Sequence, residues 1–335
     1  MSKVKKIINA PESIVSEVLD GIVAMANGAI VREGDANVLS RRDKRAGKVG
    51  LVIGGGSGHE PMYSAFVGPG LADASVAGEI FAAPSPDQIA VAARAVDAGK
   101  GVLFVYGNYA GDVLNFDVAS EMLEAEGVAC RTVVVADDVA IADPSARRGI
   151  AGAVYQVKVA GYACEHCATL EEAVALVERA KAALGTIGVA VRPGSLPNTG
   201  VPTFEIGDDE IEIGMGLHGE RGVSRQKLPP ADRLVEDMVK RIGADLGLKA
   251  GDRVAALLNN LGATTFMELL IVNRKLRLLL AETGIVVGRF DIGAYFTSQE
   301  MAGFSLTFMR LDRELEAALA APASSPGFVQ VGGAR

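Results

Sequence analysis

Two of the three histidines in this chain of 335 residues, His59 and His218, sit inside glycine-rich runs. His59 follows the glycines of Gly54-Gly-Gly-Ser-Gly-His-Glu-Pro61, and His218 lies between Gly216 and Gly219 in the run Gly214–Gly222. Glycines let backbone N–H groups approach a small polar ligand closely. A tight turn would explain the glycines of the first run, but not a histidine at its end. The run is also not a common phosphate loop. His59 falls where a dinucleotide fingerprint has its third glycine, and the Gly-Lys-Ser/Thr ending of a P-loop is missing. A dinucleotide-dependent enzyme would therefore rest on the glycines alone. A neutral imidazole is a nucleophile, so covalent catalysis is open to His218; a structural or surface histidine is the plainer alternative. Asp112 follows a strand end and starts a helix. It is either an N-cap or a general base set against a substrate hydroxyl.

Two other clusters have weaker chemistry. Cys164-Glu-His-Cys167 suggests a metal or redox site, but structural zinc needs four ligands and no second Cys/His pair lies near it. Asn259, Asn260, Thr264 and Thr265 could bind a polar ligand or satisfy their own loop backbone.

The elements that must position these residues alternate strand, loop and helix. The apolar spacing of Ile14, Val15, Val18, Leu19, Ile22 and Val23 predicts a helix over Pro11–Ala26. Arg32–Arg45 reads as a polar loop, and a short strand from Val49 runs into the glycine turn at Gly54. A helix over Asp87–Ala98, a strand over Gly101–Tyr106, a helix over Val113–Glu126 and a strand over Cys130–Ala136 follow, the last ending in the acidic turn Asp137-Asp138. Helices are expected over Ala151–Ala163 and Leu170–Leu184, with Thr169 and Glu172 at capping-box spacing. The alternation implies a mostly parallel sheet with right-handed crossovers, and ligands in such sheets sit beyond the carboxyl ends of the strands. The 54–59 and 107–112 loops are in that position.

A strand over Thr186–Arg192 leads to a connection rich in Pro and Gly. Phe204–Ile213 reads as a hairpin around Gly207-Asp-Asp. Further helices are expected over Ala231–Leu246, Phe266–Thr283 and Asp312–Ala321, and strands over Arg253–Leu258, Ile285–Phe290 and Phe304–Leu311. The tail from Pro322 reads as loose. The expected fold is two α/β domains, each with a central mixed sheet flanked by helices: residues 1–185 carry the Gly-rich loop and residues 186–335 the His218 loop.

Composition supports this class. Hydrophobic residues make up 49% and charged residues 22%, and 40 glycines imply many tight connections. The net charge of −8 and the lack of a basic stripe argue against a nucleic-acid surface. No apolar run reaches the ~18 residues of a membrane span, and the first ten residues do not read as a signal peptide. Three cysteines cannot staple a chain this long, so a reduced, cytoplasmic protein is expected.

Several stretches, in order, resemble one family, the substrate-binding K subunit of dihydroxyacetone kinase. They are Gly54–Pro61, Ala77–Ser85, Asn108–Phe116, Val135–Val139, Arg147–Gly152, Gly214–Gly222 and Asn259–Thr264, spread over nearly the whole chain. The resemblance implies phosphorylation of a short ketose. His218 would add through Nε2 to the ketone carbon as a hemiaminal, Asp112 would take the proton of the attacking hydroxyl, and His59 would hydrogen-bond the substrate. Gly56, Ser57 and Gly58 would line the same site. It also implies a homodimer and a separate L subunit carrying magnesium with ADP or ATP. No cofactor is expected on this chain. The L subunit would use ATP directly or be recharged by a phosphotransferase-system protein.

Two residues depart from the pattern. Gly107 stands where the family usually has a substrate-contacting Lys, and Ala110 where Thr is commoner. Loss of Lys removes a donor and is expected to open volume, which suggests a ketose such as erythrulose. It also leaves room for the alternative of a ketose-binding sensor or regulator without kinase activity of its own.

Overall fold

The computed structural model of the chain describes residues 4–332; residues 1–3 at the start and 333–335 of the tail lie outside the described residues. Helix α1 (Ile14–Met25) is followed by strands β1 (Ile30–Arg32), β2 (Val38–Arg41), β3 (Gly50–Ser57) and β4 (Ala74–Ile80). Then come α2 (Pro86–Val96), β5 (Val102–Tyr106), α3 (Ala110–Ala125) and β6 (Cys130–Thr132). These strands form one six-stranded sheet in the order β1-β2-β4-β3-β5-β6. β4, β3, β5 and β6 are parallel, and β1 and β2 join antiparallel.

After α4 (Ala153–His166) and α5 (Leu170–Ala182), the chain builds β7 (Leu184–Arg192), β8 (Glu210–Ile213) and β9 (Ser224–Lys227). It continues through α6 (Ala231–Asp245), β10 (Arg253–Asn260), α7 (Phe266–Glu282), β11 (Val286–Gly293), β12 (Ala302–Arg310) and α8 (Arg313–Ala320). The second sheet has the order β11-β10-β12-β7-β8-β9, and within it β10 and β11 pair in parallel. The expected two mixed sheets flanked by helices are present.

Side chains alternate across a strand, and this divides the core into layers. Leu51, Ile53, Leu103 and Val105 face the same apolar cluster as Ala255, Leu257 and Met309, with α4, α5 and α8 filling the space between the sheets. Val52, Val102 and Phe104 face the other way, onto α2 and α3. Ile187, Val189, Leu258 and Phe308 face α6 and α7. Helix α4 is enclosed, and the small apolar residues around its circumference suit that place. The Tyr155 hydroxyl on α4 donates to the Ala256 carbonyl of the second sheet at 2.8 Å. Among the described residues no helix is long and apolar enough to cross a membrane.

Four local expectations need correction. The polar stretch Arg32–Arg45 contains β2, whose Val38 and Leu39 are buried against β4. Its charges misled because Arg41 pairs with Asp73 and Glu165 in a nearly buried ionic cluster. The glycines Gly54–Gly56 are strand rather than turn, paired with Val76, Ala77 and Gly78. The Gly207 turn exists, with the Glu210 amide donating to the Gly207 carbonyl at 3.1 Å, but Phe204–Ile206 form no strand. β8 pairs instead with β9, across the loop that holds His218. The tail packs: Ala323 and Phe328 are buried, and the Phe328 ring centroid lies 5.7 Å from that of Phe66.

Candidate active site

His59, Asp112 and His218 line one cavity, although they come from three separate connections. His59 follows β3, Asp112 lies in the first turn of α3, and His218 lies in the β8–β9 loop. Gly55, Gly56 and Gly107 line it too, with Tyr63, Phe81, Tyr109, Leu217 and Phe296. The space between them is about 20 Å³, enough for a water molecule.

The glycines of β3 allow close packing around this space. A Cβ on Gly55 would come within 2.8 Å of the Tyr63 ring, and one on Gly56 within 2.8 Å of the Ala82 amide and 2.9 Å of Phe81 Cα. The Phe81 ring packs over both imidazoles, with centroids 4.9 Å from His59 and 5.2 Å from His218. Its backbone is left-handed, φ +56°. That conformation costs a bulky residue about 1–3 kcal/mol and is found mostly where a site needs it.

The hydrogen bonds around the two histidines set their protons. The His59 Nδ1–H donates to the Thr297 carbonyl at 2.7 Å, leaving the Nε2 lone pair facing the cavity. Burial, and then the neighbouring His218, push the His59 pKa down to about 3, so its ring is neutral. Glu220 accepts from the His218 backbone N–H and from His218 Nδ1–H, each at 3.0 Å. Burial opposes ionisation of Glu220, but these bonds and the imidazole charge outweigh it, and its pKa falls to about 2. The two Nε2 atoms stand 3.0 Å apart, a distance that requires one proton between them.

Asp112 is not an N-cap. The helix starts at Ala110, Tyr109 occupies the cap position, and Asp112 Oδ1 is buried with no hydrogen-bond partner. Burial raises its pKa to about 6, only partly offset by His218.

The other expected residues are placed as follows. Gly56 and Gly107 reach the cavity wall. The Ser57 hydroxyl turns away to the Gly78 carbonyl at 2.7 Å. The Gly58 amide donates to Glu60 Oε1 at 3.1 Å, and its carbonyl accepts from the Gln299 side chain at 3.0 Å. Gly107 does not open an empty space: a Cβ there would lie 3.0 Å from the Tyr109 ring and 3.5 Å from the Tyr63 hydroxyl.

Beyond the cavity, Asp137 accepts from the Ile150 and Gly152 amides at 2.7 Å each and so ties down the start of α4. Arg148 joins Asp138 to the Gly214 carbonyl at 2.7 Å, fastening the root of the His218 loop to the first half of the chain. Asn259 holds the backbone of Tyr295 and Phe296 and also donates to the Ser305 hydroxyl at 3.3 Å. Asn260 and Thr265 likewise satisfy loop and helix-end amides. In the Cys164–Cys167 segment, Glu165 joins the Arg41 cluster and His166 bonds the Tyr162 carbonyl at 2.8 Å.

Sequence reasoning missed Glu220, Tyr63, Phe81 and Tyr109. Glu220 had a signal, since it stands two residues after His218 in the same glycine run.

The Dak1 domain pattern matches residues 20–327 of this chain. The chain is 44% identical over 313 residues to the dihydroxyacetone-binding subunit DhaK of PTS-dependent dihydroxyacetone kinase 1 from Listeria innocua, covering 92% of this chain and 95% of that protein. It is 40% identical over 326 residues to the D-erythrulose kinase of Mycolicibacterium smegmatis, covering 96% of this chain and 56% of the longer kinase. Among solved structures, the dihydroxyacetone kinase of C. freundii with AMP-PNP and Mg2+ superposes with a TM-score of 0.91 at 31% identity, over 98% of this chain and 61% of that one. The dihydroxyacetone kinase operon co-activator DhaQ superposes with a TM-score of 0.88 at 29% identity, over 94% of this chain and 98% of that one. The chain belongs to the Dak1 domain family, whose named relatives are dihydroxyacetone-binding kinase subunits and ketose kinases.

Proposed function

We propose that this chain is the ketose-binding subunit of a dihydroxyacetone-type kinase and holds its substrate covalently on His218. The observation that carries the reading is one cavity with an imidazole nitrogen backed by a carboxylate on its far side, a neutral second imidazole 3.0 Å away, and a buried carboxylate oxygen, Asp112 Oδ1, without a partner.

His218 Nε2 is free to attack only when it leaves its contact with His59 Nε2, so the incoming carbonyl parts the two nitrogens. The proton between them passes to His59 Nε2. His218 Nε2 then attacks the ketone carbon, the carbonyl π pair moves to oxygen, and that oxygen takes the proton from His59. The product is a hemiaminal on an imidazolium, its Nδ1–H still held by ionised Glu220. Proton and charge are conserved throughout. The bond selects carbonyl compounds over polyols of the same size and fixes the hydroxyl for transfer. Asp112 takes the proton of that hydroxyl as the phosphoryl group arrives.

The phosphoryl group comes from a nucleotide-carrying L subunit with Mg and ADP or ATP, and a phosphotransferase-system protein is the donor in the ADP case. Dihydroxyacetone or a related ketose such as erythrulose is the substrate. The expected division near residue 185 and a cytoplasmic location belong to the same reading. So does a homodimer, supported by the apolar stripe that α7 leaves open: Phe266, Met267, Leu270, Ile271 and Leu278 are exposed.

The similarity to the co-activator DhaQ favours a second reading, a ketose sensor. A sensor needs His218 but has no use for Asp112 as a base. An assay with an L partner separates the two: the kinase reading requires ketose phosphorylation that His218→Ala abolishes, and the sensor reading requires ketose binding without turnover.

A further inference from the structure

We propose that Tyr63 is a further substrate-contacting residue: its phenol and the Asp112 carboxylate together hold one hydroxyl of the ketose, the one that is phosphorylated. This rests on the ketose reading above and adds a donor to it.

Tyr63 lines the same cavity as His218 and Asp112. Its ring is fixed from two sides. Phe296 packs against it edge-on at 5.4 Å between centroids, and Gly55 presents a bare Cα on the other side. A Cβ on Gly55 would stand 2.8 Å from the Tyr63 ring and 3.8 Å from Asp112 Oδ1, so ring edge and carboxylate converge on one point. The hydroxyl reaches the space beside Gly107, which offers no side chain. The Gly107 backbone lies beside the phenol oxygen.

The cavity thus holds, at Asp112 Oδ1, a buried acceptor without a donor, and the phenol of Tyr63 stands on the same wall. Buried polar groups are normally satisfied, and exceptions mark places where a ligand or water completes the set. An alcohol donates once and accepts at its oxygen, so a single ligand hydroxyl satisfies Asp112 Oδ1 and offers its oxygen to the phenol O–H. Donating to Asp112 while accepting from Tyr63 leaves one oxygen lone pair free, the pair an incoming phosphoryl group needs. The burial that lifts the Tyr63 phenol pKa keeps it a donor across the working pH range.

The test compares two ketones on the intact chain by calorimetry: dihydroxyacetone, with a hydroxyl on both carbons beside the carbonyl, and acetone, with none. Tyr63→Phe keeps the ring and removes only the hydroxyl, and its melting temperature is checked against wild type. If Tyr63 holds a substrate hydroxyl, Tyr63→Phe shrinks the preference for dihydroxyacetone over acetone by roughly 5–10-fold. Equal weakening toward both ketones would show a structural role and overturn the assignment of Tyr63, as would an unchanged preference. Failure of the wild-type chain to take up either ketone would overturn the ketose reading itself, and this proposal with it.

Discussion

His59 Nε2 lies 3.0 Å from His218 Nε2, yet the two nitrogens come from residues 159 positions apart and from opposite sheets. Each ring is anchored through its other nitrogen, one to a backbone carbonyl and one to a carboxylate. The anchors differ in charge, so the rings differ in role. The carbonyl partner leaves His59 a neutral acceptor, and the carboxylate partner gives His218 a counter-ion for the cation that forms on attack.

Glu220→Gln tests that division. The amide has the shape of the carboxylate but no charge, and it can present an N–H to His218 Nδ1. Ketose affinity is expected to fall roughly 10–100-fold, because a charge-assisted bond to the adduct is lost. Calorimetry with dihydroxyacetone measures it, and Glu220→Asp should recover part of the loss.

Asp112 supplies a pH signature. Its pKa is raised from 3.8 to about 6, so phosphoryl transfer should fall as pH drops through about 6, and more steeply than ketose binding, which keeps the bond to His218. The stability consequence has the opposite sign. An acid with a raised folded pKa is most favourable to folding below 3.8, and that stability is lost as pH rises through about 6. Asp112→Asn should therefore abolish transfer and also raise thermal stability at pH 7, by roughly 1–3 kcal/mol. A pH series of melting curves should show the two proteins converging at acid pH.

Gly56 and Gly111 should respond differently to alanine. A methyl on Gly56 meets the backbone of Phe81 and Ala82, which has little freedom to give; one on Gly111 meets only the Ala83 methyl at 3.4 Å, an ordinary contact. Gly56→Ala should cost roughly 1–3 kcal/mol and disturb the Phe81 ring over the histidines. Gly111→Ala, inside α3, should be neutral or stabilising by up to about 1 kcal/mol. Denaturant titration of both measures the contrast.

The α7 stripe predicts how the chain associates. Leu270 and Ile271 are 47% and 46% exposed. If they meet a second copy, Ile271→Lys should shift the chain from dimer to monomer in analytical ultracentrifugation, with its helical content unchanged.

Helix positions were legible because apolar spacing and caps are local. Thr169 accepts from the Glu172 amide at 3.2 Å, as its spacing suggested. The strands that escaped reading depend on distant partners. β2 looks like a charged loop until Asp73 and Glu165 arrive to neutralise Arg41. The Ala, Ser and Gly of β4 have little strand propensity of their own and are held between β2 and β3. Both site histidines and Asp112 were readable from their glycine settings. Tyr63 and Phe81 were not, since ordinary aromatic residues reach the site only when the fold brings Tyr63 to the cavity wall and Phe81 over the imidazoles. Gly107 was legible as a departure, but its consequence was not: the space it vacates belongs to Tyr109 and Tyr63.

The central claim is the bond between His218 and a ketone carbon. Dihydroxyacetone labelled with carbon-13 at its carbonyl carbon, bound to the intact chain, tests it by NMR. The account expects a protein-bound signal in the tetrahedral region that is absent in His218→Ala. A bound ketose that keeps its carbonyl signal in the wild-type chain, or a bound tetrahedral signal that survives in His218→Ala, would contradict it.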